Sequence, residues 1–141
     1  MSFVLHPRLT ADTAVVVVWT LSRVLLMNDK RFPWIVLVPR RPDLHELFDL
    51  DEAARAHLTN EIARAGERLK AWAKLRGQGA DKINVGVIGN LVPQLHVHVV
   101  ARRKDDAAWP RPVWGAVPAK PYGAGELARF IAALRHTLGF A

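Results

Sequence analysis

The amino-acid sequence predicts an α+β domain with a mainly antiparallel five-stranded sheet, one long helix and a C-terminal helix. Short apolar or alternating runs bounded by turn residues predict the strands. Two segments with apolar residues at helical spacing predict the helices. With 141 residues, 50% hydrophobic and 23% charged, the chain has the composition of one globular domain that spans residues 1–141.

The first three strands are predicted in the N-terminal third of the chain. Four valines precede Trp19, and residues 23–27 follow after a short polar break, which favours an antiparallel pair. Residues 28–33 form a polar loop, and residues 34–38 form an uninterrupted apolar run. A run without alternation is typical of a strand that is covered on both faces.

The long helix is predicted to begin near Asp49, because Asp49 and Glu52 have the spacing of a capping box. Apolar residues then recur at steps of three and four from Leu58 to Trp72. The Gly-Gln-Gly sequence at 77–79 ends this helix.

The last two strands are predicted to form a hairpin. Residues 82–88 and 94–100 both alternate between apolar and other side chains, with a turn predicted at Gly89 and Asn90. An amphipathic repeat from Leu127 to Leu138 closes the chain.

Residues 94–100 contain the candidate catalytic side chains. On a strand Gln94, His96 and His98 would share one face, with the two imidazoles roughly 7 Å apart. A neutral imidazole is a nucleophile at neutral pH, so one ring could attack a phosphorus ester if its other nitrogen keeps a proton held by a carbonyl or carboxylate. The other histidine and Gln94 could donate hydrogen bonds to phosphate oxygens or to a leaving oxygen.

Several alternatives compete with this catalytic interpretation. A histidine on a strand is commonly structural, and histidines at i and i+2 could share a zinc ion. A zinc site needs a third ligand, and Asp105 or Asp106 could provide it. The catalytic interpretation, in contrast, requires no metal and no cofactor, because the imidazole itself is the nucleophile. Asparagines near the predicted loops are also common turn or cap residues.

The charge balance indicates an anionic partner. Twenty Lys and Arg against 13 Asp and Glu give a formal net charge of +7. A nucleic-acid-binding module would explain this charge and would bind with strong salt dependence. The sequence has no RNP-type aromatic strand and no basic helix, so a small nucleotide is the preferred partner.

The sequence also bears on localisation. No apolar run has the length of a membrane span, and the N-terminus lacks the basic start and apolar stretch of a secretory signal. Cysteine is absent. A cytoplasmic protein without a membrane partner is therefore expected.

Residues 94–100, Gln-Leu-His-Val-His-Val-Val, resemble the His-φ-His-φ-His-φ-φ motif of the histidine triad (HIT) superfamily, where φ is apolar. The resemblance extends to the apolar strand that ends at Pro39 and to positions Met27, Asn28, Asn84, Gly89 and Asn90.

This resemblance implies a HIT-like fold and a specific chemistry. His96 would attack the α-phosphorus of a nucleoside phosphoramidate or dinucleoside polyphosphate, and water would release a nucleoside monophosphate from the nucleotidyl-histidine. His98 would contact the phosphate and Asn28 the ribose, while Asn84 and Asn90 would reach the phosphates. Members are often homodimers, sometimes with one sheet running across both subunits.

Three positions depart from the family pattern: Gln94, Trp34, and Asn90, which stands where many members have a glutamine. Gln94 replaces the first histidine of the triad, and Gln can form hydrogen bonds but cannot carry a titrating proton. Trp34 stands where many members have a histidine. The Gln94 departure leaves open a catalytically weak or inactive nucleotide sensor as an alternative to the hydrolase.

Overall fold

A five-stranded antiparallel sheet, in the order β1-β2-β3-β5-β4, forms the centre of the computed structural model, which describes residues 2–116 and 118–139. The strands are β1 (Thr13–Val18), β2 (Ser22–Met27), β3 (Trp34–Pro39), β4 (Lys82–Gly86) and β5 (Val97–Arg102). The helices are α1 (Pro7–Asp12), α2 (Glu52–Leu75) and α3 (Ala124–Leu138), with a 3-10 turn at Leu47–Asp49. The predicted α+β class is confirmed. Residues 1, 117, 140 and 141 of the predicted domain lie outside the described residues.

Strand β3 lies in the middle of the sheet, and all six of its residues are buried. Ile35 and Leu37 face a core that is formed with α2 and α3. Trp34, Val36 and Val38 face the opposite side, against Leu9 of α1 and apolar residues of the C-terminal loops. The prediction that residues 34–38 are covered on both faces is confirmed, because each face of β3 meets its own apolar layer.

The N-cap of helix α2 lies two residues after the predicted one. Asp51, not Asp49, is the N-cap, and its carboxylate accepts a hydrogen bond from the backbone N–H of Ala54 at 2.8 Å. The Asp49 carboxylate instead accepts hydrogen bonds from the backbone N–H groups of His45 and Glu46, at 3.0 and 2.9 Å. The predicted capping box at Asp49 and Glu52 is therefore wrong.

Strand β5 pairs with β4 as predicted, but it begins later. Gly86 pairs with His98, and the connecting loop covers residues 87–96 rather than a tight turn at Gly89 and Asn90. Pro93 has no N–H for a sheet ladder, and the N–H of Leu95 donates to the carbonyl of Leu44 at 2.9 Å. Residues 94–96 therefore belong to the loop, and the predicted strand at 94–100 is wrong at its start.

Helix α1 was not predicted from the sequence, although Pro7 at its first position is a recognisable start signal. Among the described residues no helix is long and apolar enough to cross a bilayer.

Candidate active site

The imidazole rings of His96 and His98 lie together at the start of β5. His96 ends the loop before β5, and His98 is the second residue of β5. Their ring centroids are 4.9 Å apart with an interplanar angle of 73°, and the residues are only 5% and 6% exposed. This separation is shorter than the roughly 7 Å expected for two side chains two positions apart on a strand.

The ring of His96 is held in one tautomer. Its Nδ1 lies 2.6 Å from the backbone carbonyl oxygen of Gln94, and a carbonyl can only accept, so Nδ1 carries the proton. The Nε2 lone pair is therefore left for another partner. Burial lowers the pKa of His96 below 6.5, against an opposing effect of the Gln94 carbonyl and with a smaller lowering from nearby His6.

The ring of His98 has the opposite arrangement. The indole N–H of Trp34 donates to Nδ1 of His98 at 3.0 Å, so Nδ1 is unprotonated and the neutral ring carries its proton on Nε2. Burial, with a contribution from the charge of His96, lowers the pKa of His98 to about 3. His98 is consequently a neutral hydrogen-bond donor at physiological pH.

Trp34 is a site residue to which the sequence analysis assigned no role. It lies on β3 opposite Val100, one diagonal step from His98 on the same face of the sheet. Only the pairing register of β3 with β5 gives this proximity, and the sequence does not supply that register.

A cavity of about 440 Å³ lies beside the two histidines, and we call it the histidine cavity. Its walls combine apolar side chains with a few polar groups from α1, β2, β3 and the loops. It is lined by Arg8, Leu9, Asp12, Met27, Trp34, Ile88, Gly89, Asn90, Leu91, Val92, His96, His98, Trp114 and Gly115. A concave, largely apolar pocket with a few convergent polar groups is the usual form of a small-molecule site.

Trp114 closes one side of this cavity by packing over Gly86. A Cβ at Gly86 would lie 2.6 Å from the Trp114 ring, so only glycine permits this contact. The Trp114 and His98 rings have centroids 5.4 Å apart. At Gly86 the group that approaches the backbone is therefore this indole.

Gln94 does not share a strand face with the two histidines. Its side-chain carbonyl accepts the N–H of His6 at 2.8 Å, and its amide N–H donates to the carbonyl of Val4 at 2.9 Å. Its side chain therefore binds the N-terminal segment, while its backbone carbonyl orients His96. Gln94 also lines a smaller cavity of about 130 Å³ on another side of His96.

Of the three predicted asparagines, the structure places one at the histidine cavity. Asn90 lines it and is exposed. The side-chain oxygen of Asn28 accepts the N–H of Tyr122 at 2.9 Å, and that of Asn84 accepts a guanidinium N–H of Arg102 at 2.9 Å. Asn28 and Asn84 are not among the residues lining that cavity, and these contacts favour structural roles.

The proposed zinc ligand Asp106 is engaged elsewhere. It receives two hydrogen bonds from the buried Arg102 guanidinium, at 2.7 and 3.0 Å. Although burial of Asp106 opposes ionisation, Arg102 and three backbone N–H groups lower its pKa to about 2. Within the described part of the chain, no group of three His, Cys, Asp or Glu is placed to hold a metal ion.

The fold and the paired histidines define a small α+β domain with a buried imidazole site. Residues 8–105 match the HIT domain, and the chain therefore belongs to the HIT family. Membership supports a nucleotide-binding or nucleotide-hydrolysing function in general.

Solved histidine triad proteins resemble the chain over nearly its full length. One from Bradyrhizobium japonicum is 47% identical, with 99% of this chain and 100% of that chain covered and a TM-score of 0.90. One from Sinorhizobium meliloti is 41% identical, with 96% of each chain covered and a TM-score of 0.89. One from Marinobacter aquaeolei is 40% identical, covering 98% and 97%, with a TM-score of 0.89. No curated protein matches the chain.

Proposed function

We propose that this protein hydrolyses or transfers nucleotides by attack of His96 Nε2 on the α-phosphorus of a nucleoside phosphoramidate or dinucleoside polyphosphate. One observation carries the proposal: the two adjacent imidazoles have opposite tautomers. His96 presents a lone pair and His98 presents an N–H, which are the two groups that attack on a phosphoryl centre requires.

In the first step the Nε2 lone pair of His96 forms a bond to phosphorus. The bond from phosphorus to the amine or phosphate leaving group breaks, and its electron pair departs with that group. The positive charge that develops on the His96 ring is shared with the Nδ1–H that donates to the Gln94 carbonyl. In the second step water attacks phosphorus and releases a proton to solvent, the P–N electron pair returns to Nε2, and nucleoside monophosphate leaves.

His98 acts as a fixed donor and not as an acid. Its Nε2–H can bond a phosphate oxygen, but loss of that proton would leave an imidazolate, because Nδ1 already accepts from Trp34. The proton for the leaving group therefore comes from solvent or from another residue. No metal or organic cofactor is needed for the attack, since the imidazole supplies the electron pair.

The nucleoside is assigned to the apolar part of the histidine cavity, between Leu9, Met27 and Trp114. Asn90 is assigned to the phosphates. Asn28 and Asn84, for which the family resemblance implied roles as ribose and phosphate ligands, act in this proposal through their contacts with Tyr122 and Arg102.

Replacement of the nucleophile tests the proposal. Across a panel of phosphoramidates, dinucleoside polyphosphates and nucleotide sugars, His96→Ala should abolish turnover while the fold, followed by circular dichroism, is retained. His98→Ala should lower kcat by about two orders of magnitude through loss of one donor. His136→Ala, at an exposed histidine of α3, is the control. Full activity of the His96 variant would exclude His96 as the nucleophile.

A nucleotide sensor without turnover is the second candidate. One observation favours it: both side-chain groups of Gln94 bind the N-terminal segment, so the first triad position adds no proton-carrying group. A wild-type protein that binds nucleoside monophosphate but turns over no member of the panel would establish the sensor instead of the hydrolase.

A further inference from the structure

A second cavity, of about 610 Å³, lies apart from the histidine cavity and is larger than it. It is bounded by the loop between β2 and β3, the end of α2, the end of β5 and the outer part of α3. We call it the basic cavity. It is lined by Lys30, Arg31, Pro33, Arg76, Gln78, Gly79, Ala101, Arg103, Asp106, Tyr122, Glu126, Arg129, Phe130 and Ala133, none of which lines the histidine cavity.

Five cations and two carboxylates line the basic cavity. Three ionic groups have partners outside it: Asp106 pairs with Arg102, Arg31 with Asp29, and Arg103 with Asp105. Among the described residues, the remaining cations form no ion pair within 4.0 Å; these are Lys30, Arg76 and Arg129. Only Glu126 opposes them, so the wall keeps a net positive charge that attracts anions.

Arg76 is held in place before any ligand binds. Its guanidinium lies over the ring of Trp72, 4.7 Å from the centroid, and over that of Phe130, at 5.1 Å. Stacking on two aromatic faces fixes the plane of a guanidinium and leaves its edge N–H groups for an anion. Part of the ordering cost of binding is thereby removed.

Tyr122 is an independent sign of a missing partner. The residue is 9% exposed and lines the basic cavity, and its backbone N–H donates to Asn28, which fixes its position. Its hydroxyl is buried without a hydrogen-bond partner among the described residues. An unpaired buried hydroxyl lowers the stability of the folded chain, and a hydrogen bond to a ligand oxygen would recover that loss. Burial raises the pKa of Tyr122, so the hydroxyl remains a donor.

We propose that the basic cavity binds a small polyanion with two or more adjacent phosphate groups, held by Lys30, Arg76 and Arg129 with the Tyr122 hydroxyl as a neutral donor. The three cations come from three separate elements, so a single phosphate would meet them less well than a chain of phosphates. The volume lies in the range of small-molecule sites. This site is independent of the function proposed for His96.

Isothermal titration of the full chain with inorganic tripolyphosphate at low ionic strength tests the proposal. Saturable binding with one ligand per chain is expected. The double variant Arg76→Gln/Arg129→Gln should raise Kd at least about tenfold, because it removes two charged hydrogen-bond donors from the ligand. Tyr122→Phe should weaken binding without lowering thermal stability; unchanged affinity would remove the hydroxyl from the site.

The control is Arg41→Gln/Arg111→Gln, which removes two exposed arginines elsewhere on the surface. Equal weakening in both double variants would show diffuse attraction by net charge and overturn the proposal, as would unchanged binding in the Arg76/Arg129 variant. Tighter binding of a single-stranded oligonucleotide, lost in the same variant, would overturn the small-ligand assignment. His96→Ala should bind tripolyphosphate as the wild type does, so failure here is separable from failure of the catalytic proposal.

Discussion

At the scale of single residues, the site depends on which ring nitrogen carries a proton. His96 and His98 are chemically identical side chains two positions apart, yet they have opposite tautomers. A backbone carbonyl accepts from Nδ1 of His96, and an indole N–H donates to Nδ1 of His98. The neighbours of each ring, and not the motif itself, therefore determine which histidine is the nucleophile and which is the hydrogen-bond donor.

The variant Trp34→Phe tests whether the Trp34 indole sets the tautomer of His98. The variant keeps an aromatic ring on β3 but removes the N–H that fixes the His98 tautomer. We expect kcat to fall about tenfold with KM little changed, because a donor needed in the transition state is no longer fixed. Steady-state kinetics measures the first effect, and ring ¹⁵N shifts report the tautomer.

Trp109→Phe is the matched control, since that indole N–H has no partner among the described contacts. Wild-type kcat together with unchanged His98 ring shifts in the Trp34 variant would refute the orienting role of Trp34.

The buried histidines also make stability depend on pH. The pKa of His98 is about 3 in the folded protein and takes its ordinary value of 6.5 in the unfolded chain. Between these values only the unfolded chain binds the proton. Stability therefore falls as pH decreases from 6.5 toward 3, by about 1.4 kcal/mol per pH unit from this residue. Above pH 6.5 His98 contributes no pH dependence.

Urea unfolding through this window measures the effect. His98→Gln should lose stability less steeply on acidification than the wild type, whereas His136→Gln should retain the wild-type slope. Equal slopes in all three proteins would contradict a neutral, buried His98.

At the scale of elements, the loop before β5 organises the site. Gln94 connects this loop to the N-terminal segment through His6 and Val4, and to His96 through its own carbonyl. Replacement of a triad histidine by Gln thus adds an anchor for the chain that leads into α1. Leu9 and Arg8 of α1 in turn line the histidine cavity.

Gln94→Ala should destabilise the protein by about 1 to 3 kcal/mol, because it leaves a backbone N–H and a carbonyl without their partners. Hydrogen exchange should show faster opening at residues 4–6 than in the wild type.

Gln78→Ala, at an exposed glutamine, serves as the control and should leave unfolding in urea unchanged. If Gln94→Ala were as stable as this control, the anchoring role would be discarded.

Elements with a local sequence signal could be predicted at this scale. The unbroken apolar run of β3 and the repeat of α2 predicted elements that are present. Boundaries that depend on tertiary contacts could not be predicted. Asp49 and Asp51 are both plausible caps, and the start of β5 depends on the Leu44 carbonyl, which is remote in sequence.

At the scale of the whole molecule, β4 lies at an edge of the sheet with its outer backbone groups unpaired by another strand of the described chain. Val85, Val87 and Ile88 on and beside it are 49%, 42% and 45% exposed. An exposed apolar edge strand is a template for pairing with a second copy. We therefore expect a homodimer in which two β4 strands meet about a two-fold axis.

Val85→Lys should convert such a dimer to monomer or raise its dissociation constant at least about tenfold, because two like charges would face each other across the axis. Sedimentation equilibrium measures the association. Leu75→Lys, at a more exposed apolar residue of α2, should leave it unchanged. A wild-type protein that sediments as a monomer at high concentration would contradict the edge-to-edge dimer.

The sequence by itself determined the order and type of most elements, the apolar layers around β3, and the presence of two histidines with a polar neighbour. These features follow from periodicity and residue chemistry, which act over a few positions. The tertiary structure decided the partners: Trp34 bonds His98 across 64 positions and Gln94 bonds His6 across 88. A hydrogen bond forms only when donor and acceptor come within about 3 Å of each other. The register of the sheet and the path of the loop set these two distances, and the local sequence pattern specifies neither of them.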